Sequence, residues 1–178
     1  MMAELKDIKK QFFALRNGAL ADAMRKQCGD THRMIFGLNL PQLKGVADGI
    51  GGKDAELACA LWADKDCRES RLLAPMVCPA DYAAAAAWIG EVTTVGEADV
   101  VCHRLLRHRR DAVELAAAQL AAAEEPLLRY VALRLLLNVV CPDNAARVAA
   151  LGESVEPDAL TDGVRLQLLD ECNELNTH

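Results

Sequence analysis

The sequence predicts an all-α protein, an α-solenoid of stacked antiparallel helix pairs, and three observations predict it. Hydrophobic residues make up 52% of the 178 residues and aromatics only 4%, with long alanine and leucine runs. Apolar positions recur at the 3.6-residue spacing that gives a helix one buried face, and no short run alternates apolar and polar as a half-buried strand would. Helix starts fall near residues 66, 79, 94, 111, 126 and 142, so pairs recur at roughly 30 residues, a period compatible with stacked helical hairpins. A chain of this size buries roughly 70% of its unfolded surface and suits one domain, residues 1–178.

The elements follow in order. The first helix spans residues 4–27, with Ile8, Phe12, Leu15, Ala19 and Ala23 on one side and Gly29 beyond its end. Residues 30–39 form a loop. A second helix opens at Pro41, whose missing N–H costs nothing in a first turn, and closes in Gly49, Ile50, Gly51 and Gly52. A third covers 54–62. Asp66 with Glu69 offers an acidic capping box for a fourth, which ends near Met76. Pro79 opens a fifth that runs through Tyr82 and the alanines to Ile89, with Gly90 as its stop. Four more helices cover 111–123, 126–140, 142–151 and 157–175, and prolines mark three of those starts.

Between these lies the chemically richest stretch, residues 94–110, TVGEADVVCHRLLRHRR. Thr94 and Glu97 form a T-x-x-E capping box that can satisfy first-turn N–H groups, so the stretch reads as one helix. Ala98, Val101, Cys102 and Leu105 form its core stripe, which leaves Asp99, His103, Leu106 and Arg110 along a neighbouring row. A carboxylate near the start and Arg104, Arg107, His108, Arg109 and Arg110 near the end match the helix macrodipole. The stretch is therefore either a solvated, dipole-matched helix or a functional row.

Composition bounds the rest. The seven cysteines are spread singly, with no C-x-x-C pair and no histidine at metal spacing. This argues against a metal site and a disulfide framework, and for cysteines packed as small apolar residues. Nothing in the sequence asks for a cofactor. The richest apolar run, 127–140, is broken by Arg129, Arg134 and Asn138, so no segment reaches the ~18 to 20 residues of a membrane span. The N-terminal stretch lacks the apolar centre of a secretory signal, which places the protein in the cytoplasm. The net charge of −6, with a pI near 5.2, requires any duplex binder of this composition to segregate its basic residues onto one face. Trp62 and Trp88 read as core residues, and Tyr130, among Leu128, Val131 and Leu133, as a half-buried packing position.

Two stretches carry a family resemblance. FGLNLPQLK, residues 36–44, and ELACALWADKDCRESRLLAP, residues 56–75, resemble the aromatic-Gly-x-x-x-Pro and L-W-x(n)-E-x-R-x-L-A patterns of the AlkD-like DNA alkylation repair proteins. Gly37, Pro41, Leu61, Trp62, Glu69, Arg71, Leu73 and Ala74 fall in place, and the similarity covers approximately residues 12–140. It implies a HEAT-like repeat solenoid whose concave face holds duplex DNA, and an activity that hydrolyses the N-glycosidic bond of cationic alkylated purines. Active members carry W-D-x-x-D, whose final aspartate stabilises positive charge on the sugar, and one repeat later an R-A-A arginine on the nucleic-acid backbone. By that resemblance Asp99 is the catalytic aspartate, with Val95 and Gly96 in place of the tryptophan and first aspartate. The arginine falls at Tyr130, with Arg129 adjacent and Arg134 one turn on.

The implied nucleic-acid contacts are then His103, Arg104, Arg107, Arg110, Arg129, Tyr130 and Arg134. Asp99 is expected to be accessible and kept ionised by a cationic neighbour, with His103, Arg110 and Arg134 as candidates. Three functions fit: a weak glycosylase, a non-enzymatic nucleic-acid binder, and a scaffold for protein partners.

Overall fold

The computed structural model describes residues 4–177. Residues 1–3 and His178, included in the single-domain and N-terminal readings above, lie outside it. Among the described residues the fold is helical: α1 Leu5–Leu15, α2 Gly18–Gln27, α3 Leu40–Ile50, α4 Ala55–Ala63, α5 Arg68–Val77, α6 Val95–Arg104, α7 Ala112–Ala122, α8 Pro126–Val139, α9 Ala145–Glu153 and α10 Asp162–Asn176. Two 3-10 segments, Ala83–Gly90 and Leu106–His108, complete it. No strand forms among these residues, only an isolated bridge between Met34 and Cys67. No described helix is long and apolar enough to cross a membrane. The chain gathers into two compact units divided between Tyr82 and Ala83.

In the first unit α5 is central. Every residue from Glu69 to Val77 is buried, α3 and α4 pack on it, and α1 lies against both of those. Arg71 is fully buried, with its guanidinium 3.5 Å over the Trp62 ring and a 2.7 Å hydrogen bond donated to the Trp62 carbonyl. A desolvated cation–π contact of this kind contributes about 2 kcal/mol. Glu69 is equally shielded, and its carboxylate accepts the N–H groups of Phe36, Gly37 and Leu38 at 3.1, 3.0 and 3.3 Å while pairing with Arg68 at 3.0 Å. Glu69 thus corrects the expected capping box at Asp66: Cys67 occupies the N-cap without a side-chain bond, and the glutamate serves the 30–39 loop instead. Gly37 has φ +82, and a Cβ there would lie 2.1 Å from the Asn17 carbonyl oxygen, so only glycine fits.

The predicted helix 4–27 is two helices. Arg16 leaves the helical region at ψ 145 and Asn17 accepts the Leu20 N–H at 3.0 Å, so an asparagine read as helical interior is a cap. The predicted α-helix over 79–89 is instead the 3-10 segment, in which Ala85 and Trp88, three residues apart, are both buried. Small alanine side chains make the tighter winding cheap where rows eclipse at three-residue spacing. The last helix starts at Asp162 rather than 157, because the Asp158 carboxylate accepts the Leu160 and Thr161 N–H groups, both at 2.9 Å, and holds a turn there.

The second unit is built on α8, whose Val131, Ala132, Leu133, Leu135 and Leu136 are buried. α6, α7 and α10 pack around it, and α9 packs on α10. Trp62 and Trp88, each 4% exposed, are core residues as expected. Of the cysteines, Cys67, Cys78, Cys102 and Cys172 are buried, whereas Cys28 is exposed.

Candidate functional site

The stretch 94–110 forms a shorter helix than its pattern predicts. Thr94 accepts the Glu97 N–H at 3.1 Å, and the buried Glu97 carboxylate turns back to take the Thr93 N–H at 2.8 Å and its hydroxyl at 3.0 Å. α6 then stops at Arg104, since Leu105 adopts φ −130 and ψ −66 and the chain tightens into the 3-10 turn Leu106–His108. Adjacent Leu105 and Leu106 are both buried, and the broken helix lets Arg109 pair in bidentate fashion with Asp111 at 2.9 and 3.1 Å. The expected row is corrected accordingly. Leu106 is core, Arg110 is exposed beyond the helix, and only Asp99 and His103 remain one turn apart on α6.

Asp99 reaches across to α8. The Tyr130 hydroxyl donates to its Oδ1 at 2.7 Å, and the Arg134 Nε lies 3.4 Å from the same oxygen. That Nε makes no hydrogen bond, so its attraction to Asp99 is one of charge rather than of aligned donation. No bond to Oδ2 is present among the described residues, and the Asp99 side chain is 39% exposed. Burial, reinforced by the bond to Asp99, pushes the Tyr130 phenol well above its ordinary value. Tyr130 is accordingly a persistent donor and a poor acid. Cys102, beneath, gives its thiol proton to the Val131 carbonyl at 3.3 Å, and burial, with the Asp99 charge adding to it, pushes that thiol up strongly as well. It is no nucleophile.

The polar seam continues along α6 and α8. His103 Nδ1 lies 3.3 Å from Asn138 Oδ1, while the Asn138 amide donates to the Arg134 carbonyl at 2.7 Å. Arg107 stands 3.4 Å from His103 Nδ1 and donates through Nε to His108 at 3.4 Å. No protein-family model, curated protein or solved structure matches this chain. The site therefore has to be read from its own geometry.

That geometry divides the predicted residues. Asp99, Tyr130 and Arg134 form one cluster, and His103 and Arg107 join it through Asn138. Arg104 is half-buried at the end of α6. Arg129 belongs elsewhere: it donates to the Glu124 carbonyl at 2.7 Å, pairs with Asp158 at 3.4 Å, and lines a cavity of about 500 Å³ with Leu120, Leu151 and Val155. Asn138 is the residue that sequence reasoning passed over. Its one signal was an amide interrupting a leucine run four residues after Arg134. No group of three or more His, Cys, Asp or Glu among the described residues is placed to hold a metal ion. Chemically, the cluster offers a partly exposed carboxylate with one oxygen engaged and one unengaged, beside a phenol that keeps its proton.

Proposed function

We propose that this chain is an AlkD-like protein of HEAT-like helix pairs that recognises alkylated DNA and hydrolyses the N-glycosidic bond of cationic N-alkylated purines weakly. The observation that carries it is the unengaged Oδ2 of Asp99, on a carboxylate whose other oxygen is held by Tyr130 and Arg134. A lesion with a positive charge is already an activated leaving group, so a fixed carboxylate near the developing oxocarbenium ion supplies useful stabilisation. At about 5 Å and an effective dielectric of ~20 the attraction is about 3 kcal/mol. Exposure of Asp99 and the neighbouring Arg134 charge reduce this, and Val95 provides no aromatic wall, so enhancement of about tenfold or less is expected.

The test is base release from N-methylated duplex DNA. Release of 7-methylguanine or 3-methyladenine should exceed background slightly, and Asp99→Asn should abolish it. Robust turnover that survives this substitution would mean that another residue carries the chemistry. Strong release of uncharged lesions would mean a different chemistry, because Tyr130 is too weak an acid to protonate a leaving base.

A second reading has its own support. The net charge of −6 and the commitment of Arg129 to Asp158 favour a non-catalytic scaffold for protein partners. It predicts no base release and no salt-dependent duplex binding.

A further inference from the structure

Arg107 sits between two imidazoles. Its NH1 lies 3.4 Å from His103 Nδ1, and its Nε donates to His108 Nε2 at 3.4 Å. His103 Nδ1 is also 3.3 Å from Asn138 Oδ1, and the Asn138 amide nitrogen is committed to the Arg134 carbonyl at 2.7 Å, which fixes its oxygen toward His103. A ring nitrogen carries either a lone pair or a proton. With a lone pair, Nδ1 accepts from Arg107; with a proton, it donates to Asn138 and turns a positive ring toward the guanidinium. A proton on His108 Nε2 removes the other acceptor in the same way. Charging either ring therefore ends an Arg107 contact and places like charges together.

We propose that His103 and His108 form a proton-operated catch that holds Arg107 while both rings are neutral and frees it, with added positive charge, for DNA phosphates when a ring takes up a proton. This rests on the reading that the basic end of α6 contacts DNA, and it adds regulation to that contact. The neighbouring carboxylates Asp99, Asp111 and Glu114 are each engaged by other residues. Asp99, one turn back on α6, is engaged by Tyr130 and Arg134 of α8. At the head of α7, Asp111 is taken by Arg109, and Glu114 pairs with Arg147. Arg129 of α8 pairs with Asp158. The 3-10 segment Ala83–Gly90, which also packs on α6, has no titratable side chain. Arg104 and Arg110 flank the catch in sequence as standing positive charge.

The experiment titrates the full chain with unmodified duplex DNA carrying a pH-insensitive dye, at about pH 7.5 and about pH 5.5, across a salt series. Each added phosphate contact steepens the log–log salt slope by about 0.9, which at about 0.1 M salt is roughly eightfold in affinity. Binding should tighten at least that much at the lower pH, with the steeper slope, and His103→Gln/His108→Gln should flatten the response. A wild-type affinity independent of pH, or a pH response that survives the double substitution, overturns the catch.

The Arg107 Nε–H resonance, followed by NMR through the same pH range without DNA, separates the two ideas. If it moves with histidine titration while no duplex binds at either pH, the coupling holds and the nucleic-acid reading falls. If it stays still, the coupling falls whatever the duplex does.

Discussion

At Glu69 a carboxylate shielded from solvent collects three backbone N–H groups and the Arg68 guanidinium. Removing it takes the acceptor from all three N–H groups, while Arg68 keeps the Leu38 carbonyl and Asp30, and an unmet buried donor costs far more than the net worth of its bond. Glu69→Ala should lower unfolding free energy by about 3 to 5 kcal/mol, since three N–H groups lose their acceptor at about 1 to 3 kcal/mol each, less what local relaxation recovers. Glu69→Gln, which keeps acceptors but loses charge, should fall between; urea midpoints decide it, and an Ala variant within 1 kcal/mol, roughly the effect of one ordinary bond, would refute the account. Tyr130 gives a pH prediction of definite sign. Its phenol is pushed up by burial and then by Asp99, so the unfolded chain ionises first, near pH ~10. The contribution of Tyr130 is complete below that pH and is lost as pH rises toward the folded value. Urea midpoints should therefore decline from about pH 10 upward more steeply in the wild type than in Tyr130→Phe. Tyr82, raised by its bond with Cys59, stays in both chains and cancels from the comparison.

At the level of single elements, α6 separates what a sequence pattern can specify from what packing decides. Its start was legible: Thr94 caps it through the Glu97 N–H, as T-x-x-E requires. Thr94→Ala should cost about 1 kcal/mol, and lower Tm by about 2 to 4 °C for a chain of this size. Glu97→Ala should cost more, since the Thr93 N–H and hydroxyl both lose their acceptor; calorimetry showing the reverse order would count against that assignment. The end of α6 was illegible, because the apolar stripe runs on through Leu105 while the backbone turns at that residue to bury Leu106 too. Asn17 shows the same limit in another form: a side chain that can compete for backbone N–H groups splits a continuous apolar stripe into two helices. Arg134 was legible as a candidate partner of Asp99 because it is a charge interrupting an otherwise apolar run. The Asn138 bridge to His103 was not, since an amide's partner is set by tertiary packing and leaves no periodicity in the chain.

Over the whole molecule the proposed DNA contact has to be made by a chain with net charge −6. Many of its arginines are committed, among them Arg71 to Trp62, Arg109 to Asp111, Arg129 to Asp158 and Arg147 to Glu114. What remains for phosphate near Asp99 is the short run at the end of α6, with Arg110 exposed, Arg104 half-buried, and Arg107 exposed but held between His103 and His108. A footprint this small gives a shallow salt dependence, since each neutralised phosphate adds only about −0.9 to the slope of log affinity against log salt. With Arg107 held at neutral pH, duplex binding should therefore show a slope near −2 there, well short of a protein with six to ten contacts, and an affinity in the weak, sequence-independent range. Arg110→Ala should take about 0.9 from that slope. Arg129→Ala should leave the slope unchanged and instead cost stability, because it removes the cation paired with Asp158 and empties one wall of the cavity beside α7. If the two substitutions exchange these effects, the DNA-facing surface lies at the start of α8 rather than at the end of α6. If neither changes a slope that is already zero, the proposed DNA contact falls.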